Sequence, residues 1–126
     1  MKLVITVLAL AIVGVLVWKF WAPVVDPPKK QVPQGKSNLY FFFTNWCGYS
    51  QKAIPIWQSI EQALQGSSVT PIRVNCETER ATCSLYGIEG YPTVVFESSA
   101  GTQTYSGRIT KPNVLQFLRG KEGVHL

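Results

Sequence analysis

The 126 residues hold one small domain and little more. A formal net charge of +5 suggests a polyanionic partner until it is mapped: five lysines against Asp26 leave +4 in residues 1–36, and seven basic residues against six acidic ones leave +1 in the rest. No basic stripe runs through the globular part, which argues against nucleic-acid binding.

Residues 3–18, LVITVLALAIVGVLVW, carry no charge, and the apolar run resumes as FW after Lys19. With Lys19 snorkelling toward headgroups and Trp18 and Trp21 at the interface, the segment from Leu3 to about Ala22 is close to the ~20 residues a bilayer requires, and a membrane anchor is predicted over residues 1–21. No polar face interrupts the run, so an amphipathic soluble helix is not expected. A cleaved signal peptide is the alternative; the length of the run and the lack of a small-x-small site in KFWAPVV speak against it. The flanking lysines suit anionic lipid headgroups. Their excess after the span places the following domain in the cytoplasm, whereas the cysteine chemistry below suits an oxidising compartment. Residues 22–37, APVVDPPKKQVPQGKS, hold four prolines and read as an extended spacer.

From Asn38 the pattern is regular, and a domain is predicted over residues 38–121 with a tail at 122–126. NLYFFFT is a continuously apolar strand in which Tyr40, Phe41, Phe42 and Phe43 supply core and sheet surface. A helix follows from about Gly48 to Gln65, with Ala53, Trp57, Ile60 and Leu64 as its apolar stripe and Gly66 as its stop; Pro55 inside it predicts a kink. VTPIRVN is a second strand and ETERATCSLY a short helix closed by Gly87. TVVFE and TQTYS bracket SSAG as a hairpin, and KPNVLQFLRG forms a last helix capped by Thr110. The order β-α-β-α-β-β-α implies an α/β fold with a mixed sheet.

The chemistry gathers at WCGYS. A cysteine at a helix start lies near unpaired N–H groups and the positive end of the helix dipole, which favours the thiolate, the form that attacks disulfides. Trp46 beside it shields the sulfur and offers an apolar surface. The strand before WCGYS, Pro55 eight residues after Cys47, GYPT before a hairpin and YSGR after it resemble a thioredoxin-fold domain. RVNCETERATCSLYGIEGYPTVVFE and YSGRITKPNVLQFL are similar, more closely, to the catalytic domains of the protein disulfide isomerase family, and the resemblance covers about residues 38–120. The family's first strand and helix find no counterpart, the spacer standing in their place. The resemblance implies a cis Tyr91–Pro92 bond beside Cys47, a substrate platform at Tyr49, Tyr91 and Pro92, and an active-site role for Arg108.

Two positions depart from the family. Ser50 stands where the second cysteine is expected, and Phe41 stands six residues before Cys47, where the family places a buried acid. Serine cannot resolve a mixed disulfide, so dithiol oxidoreduction is excluded and monothiol exchange remains for Cys47. A buried acid with no resolving thiol to serve is costly, and its loss matches the loss of the cysteine. CGYS is also similar, over four residues only, to the CGFS of monothiol glutaredoxins, but neither Pro55 nor YSGR belongs to that family. The resemblance pairs Cys76 with Cys83 in an oxidising compartment; in a reducing one they are small buried apolar residues. Cys76, Cys83 and His125, a solvated tail residue, lack a fourth ligand for zinc, and neither metal nor cofactor is expected.

The sequence therefore predicts a membrane-anchored CxxS domain: Cys47 as nucleophile, Ser50 as its hydrogen-bonding neighbour, Trp46 and Arg108 about it, and client thiols or disulfides as partners. The alternative is a non-catalytic module docked in a membrane-associated assembly.

Overall fold

The computed structural model describes residues 31–126 together with Leu10 and Gly14, both helical. Apart from those two positions, the anchor expected over residues 1–21 lies outside the described residues, as does the spacer as far as Lys30. Among the described residues no helix is long and apolar enough to cross a membrane. Gln31–Leu126 forms one compact unit.

That unit holds β1 (Ser37–Phe43), α1 (Gly48–Ala63), β2 (Val69–Asn75), α2 (Arg80–Leu85), β3 (Thr93–Ser98), β4 (Gly101–Tyr105) and α3 (Lys111–Arg119). The sheet runs in the order β2-β1-β3-β4. β1 and β2 are parallel with Phe41 opposite Arg73, while β1–β3 and β3–β4 are antiparallel. The mixed sheet and the element order agree with the sequence reading.

Because side chains alternate along a strand, β1 feeds two cores. Leu39 and Phe41 face one way, joining Ala53, Trp57, Ile60 and Leu64 of the α1 segment, Val94 and Phe96 of β3, and Val114 and Leu118 of α3. Phe42 faces the other way, with Val74, Val95, Cys76 and Cys83. The Phe41 ring stacks on Trp57, centroids 4.9 Å apart. Trp57 Nε1 donates to Glu61 Oε1 at 2.9 Å, and both Glu61 oxygens accept from Arg73 of β2. The guanidinium holds the Glu61 carboxyl below the usual carboxylate range.

α1 runs through Pro55, which is exposed and, lacking an N–H, cannot donate to the Gln51 carbonyl. Gly66, with φ +75°, follows the helix in the left-handed region that favours glycine. The hairpin turn is tighter than expected: Ser98 pairs with Gly101, leaving only Ser99 and Ala100 between the strands. The Thr110 side chain accepts from the Asn113 N–H and caps α3. Gly107 is required by packing, since a Cβ there would meet the Tyr105 ring, whose hydroxyl donates to the Arg108 carbonyl at 2.9 Å. The tail is tied rather than loose: the His125 N–H donates to Ser68 Oγ at 2.9 Å, and its carbonyl accepts from the Ser68 N–H at 3.0 Å.

On the second face the sheet buries a carboxylate. Glu97 is 5% exposed and accepts from Asn38 Nδ2 at 3.2 Å, Tyr40 Oη at 3.0 Å and Tyr86 Oη at 2.9 Å. Burial is the main cause that raises the pKa of Tyr86, with Tyr40 and Glu97 adding to it, so this hydroxyl stays a donor. A buried polar side chain is tolerated where its lone pairs are filled in this way.

Candidate active site

Cys47 is the N-cap of α1, with extended backbone (φ −80°, ψ 119°), so its sulfur lies at the mouth of the helix and not along its flank. Its pKa is lowered, first by the Ser50 backbone N–H and further by the Tyr49 N–H and the Ser50 hydroxyl; partial desolvation works against them. In its thiol form Cys47 Sγ lies 3.7 Å from the Tyr91 carbonyl oxygen. That carbonyl favours the protonated sulfur and the first-turn N–H groups favour the anion. The balance lies with the N–H groups.

The Tyr91–Pro92 bond is cis. Tyr91 thereby stands beside Cys47, and its ring meets Trp46 edge-on, centroids 6.1 Å apart at 84°. Trp46 is 68% exposed and Tyr49 76% exposed, so the half-buried sulfur sits among aromatic surface open to a partner.

Ser50 is fully buried. It continues the apolar stripe of α1 one turn toward the helix start, in step with Ala53 and Trp57, and its Oγ accepts from the Thr44 N–H at 3.4 Å. The neighbouring Thr44 hydroxyl is buried with no hydrogen-bond partner among the described residues. Position 41 is closed to water by the Phe41–Trp57 stack.

Cys76 and Cys83 are joined by a disulfide that links the turn after β2 to α2, and Cys47 is the free cysteine. Arg108 is exposed, and among the described residues its backbone carbonyl is engaged, accepting from Tyr105 and Asn113. The structure thus gathers Cys47, Trp46, Tyr49, Ser50, Tyr91 and Pro92 at one end of the sheet. It records no hydrogen bond or ion pair from the Arg108 side chain to that group. Two participants escaped sequence reasoning, Glu77 and Gln51, which hold the loop before Cys47: the Asn45 N–H donates to Glu77 Oε2 at 2.8 Å, and Gln51 Nε2 donates to the Asn45 carbonyl at 2.6 Å. Glutamine four residues into a helix from its N-cap is an unremarked surface residue in sequence, and Glu77 lies 32 positions from its partner.

Comparison with known proteins agrees with this arrangement. The chain is 27% identical over 101 residues to a probable protein disulfide-isomerase A6 of Medicago sativa, covering 78% of this chain and 28% of that protein. It is 31% identical over 86 residues to protein disulfide-isomerase A3 of Gallus gallus, covering 68% of this chain and 17% of the relative. The chain thus spans less than a third of the length of either relative. Among solved structures, the Trx4 domain of ERdj5 superposes with a TM-score of 0.61 at 22% identity, over 72% of this chain and 83% of that domain. The Thioredoxin family model matches residues 28–120, and with the site and sheet described above, the chain belongs to the thioredoxin family.

Proposed function

We propose that the domain carries out monothiol–disulfide exchange through Cys47. The observation that carries this reading is a free sulfur at the α1 N-cap, held toward its anion by first-turn N–H groups, while the position three residues on is a buried serine. The Cys47 thiolate attacks one sulfur of a client disulfide. A Cys47–client disulfide forms, and the displaced client sulfur leaves as a thiolate that takes up a proton from water. Ser50 offers no second sulfur, so the adduct persists until a client cysteine or a small thiol attacks it and Cys47 departs as thiolate. If the attacker is another cysteine of the same client, the cycle isomerises disulfides with no net oxidation. Trp46, Tyr49 and Tyr91 supply the platform for the client chain. The Tyr91 N–H bonds to no described residue and suits pairing with an extended segment.

The linkage between fold and proton follows from the direction of the Cys47 shift. A folded-state pKa below the unfolded one stabilises the domain fully above the unfolded value, and this contribution fades as pH falls through the folded value.

Incubation with a peptide disulfide should leave a covalent adduct on the parent chain that added glutathione releases, and none on Cys47→Ser. An absent adduct, or one carried equally by Cys47→Ser, contradicts the reading and favours a non-catalytic docking module. The uncharged run in residues 3–18 supports membrane attachment, and the Cys76–Cys83 pair supports an oxidising compartment. Carbonate should therefore fail to extract the full chain but release a chain lacking residues 1–21; equal extraction of both contradicts the anchor.

A further inference from the structure

Between β1 and α1 the chain crosses from sheet to helix through Thr44, Asn45 and Trp46, and side chains fix this crossing. The Thr44 N–H donates to Ser50 Oγ, the Asn45 carbonyl accepts from Gln51 Nε2, and the Asn45 N–H donates to Glu77 Oε2 at 2.8 Å. Two of these ties come from α1, the helix that the loop itself opens. The third is different, because Glu77 belongs to the turn after β2.

That turn is itself braced. Asn75 accepts at its backbone carbonyl from the N–H groups of Thr78 and Glu79, at 3.2 and 2.8 Å, and its side chain accepts from the Glu77 N–H at 3.0 Å. Cys76, next to Glu77, is covalently bonded to Cys83 of α2, and the Cys76 N–H continues the ladder to the Phe43 carbonyl at 2.9 Å. The Glu77 backbone is thus held in place, and its carboxylate reaches Asn45 from the surface of the turn. The N–H it grips is that of Asn45, the residue before Trp46, whose ring meets Tyr91 across the site.

We propose that Glu77 is a positioning residue for exchange at Cys47. It holds the Asn45 peptide, and through it the Trp46 ring, in the attitude that lets an extended client lie along Trp46 and Tyr91. This inference rests on the thiol-exchange reading above. Its mark is a split between substrates, because a small disulfide needs only the sulfur, whose anion is favoured by Ser50 and Tyr49, whereas a peptide disulfide needs the aromatic platform as well.

The test compares the parent chain with Glu77→Ala and Glu77→Gln, using oxidised glutathione and a cysteine peptide in disulfide form as the two probes. Glu77→Ala should react with glutathione disulfide within about twofold of the parent but with the peptide about tenfold more slowly, the scale of a misplaced positioning group. Glu77→Gln, whose amide oxygen can still accept from Asn45, should recover most of the peptide rate. In the parent the Asn45 amide should exchange its hydrogen about tenfold or more slower than an unprotected amide, and Glu77→Ala should lose that protection. Equal slowing with both probes, no slowing with either, no recovery by Glu77→Gln, or an unprotected Asn45 amide in the parent overturns the proposal. If the parent reacts with neither disulfide, the thiol-exchange reading fails, and the proposal that rests on it falls with it. A protected Asn45 amide would then show that the Glu77 contact exists without serving exchange.

Discussion

Phe41→Asp should bring the domain to the edge of unfolding. Phe41 has no exposed surface and lies flat on Trp57 between the sheet and α1. Removing a buried phenyl ring costs about 3–5 kcal/mol in lost transfer energy and cavity formation. A carboxylate placed there adds its own desolvation, since Arg73, opposite on β2, is already paired with Glu61. The sum rivals the whole stability of a small domain, about 5–15 kcal/mol. A urea titration followed by Trp57 fluorescence should show a midpoint moved close to zero denaturant or no cooperative transition. A midpoint within experimental error of the parent contradicts the place assigned to Phe41. The acid that the disulfide isomerase resemblance leads one to expect there cannot be restored by this single substitution, because the surrounding core has closed over a ring.

Ser50→Cys should shorten the life of a Cys47 adduct by about two orders of magnitude or more. Both positions lie at the opening of α1, and the Ser50 hydroxyl is near enough to Cys47 to lower its pKa. A sulfur at position 50 attacks the adduct within the molecule, at an effective concentration of about millimolar or higher, where the parent must await a thiol from solution. The products are an internal disulfide, joining Cys47 to the sulfur introduced at position 50, and a freed client thiolate. The fold should tolerate the change at a cost of about 1 kcal/mol, because sulfur is a weaker acceptor for the Thr44 N–H. Mass spectrometry of the peptide adduct against time reads both species. Adducts as durable on Ser50→Cys as on the parent would mean that position 50 does not face Cys47. Full reductase turnover is not expected, since Phe41 can take no proton from the second sulfur.

Much of the architecture was legible because it rests on local signals. The strand over Ser37–Phe43 follows from an unbroken apolar run, α1 from the spacing of Ala53, Trp57, Ile60 and Leu64, and α3 from Thr110 ahead of Lys-Pro. The stripe on α1 also contains Ser50, but a small polar residue in an apolar periodicity reads as an exception until its burial is seen. Contacts set by the register of distant strands left no such trace. Glu97 reads as the polar end of a strand, yet its donors Asn38 and Tyr40 reach it only because Asn38 pairs with Glu97 across β1 and β3. The tie from Glu77 to the loop before Cys47 depends likewise on where the parallel ladder delivers the turn after β2. In the site, the resemblance placed Cys47, Tyr91 and Pro92 together, and the backbone that brings the Tyr91 carbonyl to Cys47 has the same arrangement. The resemblance also assigned a role to Arg108, an exposed residue whose carbonyl accepts from Tyr105 and Asn113.

Monothiol exchange requires that Cys47 be poised as a thiolate. The most direct measurement is the rate of Cys47 alkylation by iodoacetamide against pH, in a chain whose other two cysteines are bridged. The inflection should fall below the ~8.5 of an unperturbed cysteine, and replacing the Ser50 hydroxyl with Ser50→Ala should move it upward without abolishing it, because the backbone N–H groups remain. An inflection at or above the ordinary thiol value would contradict the account.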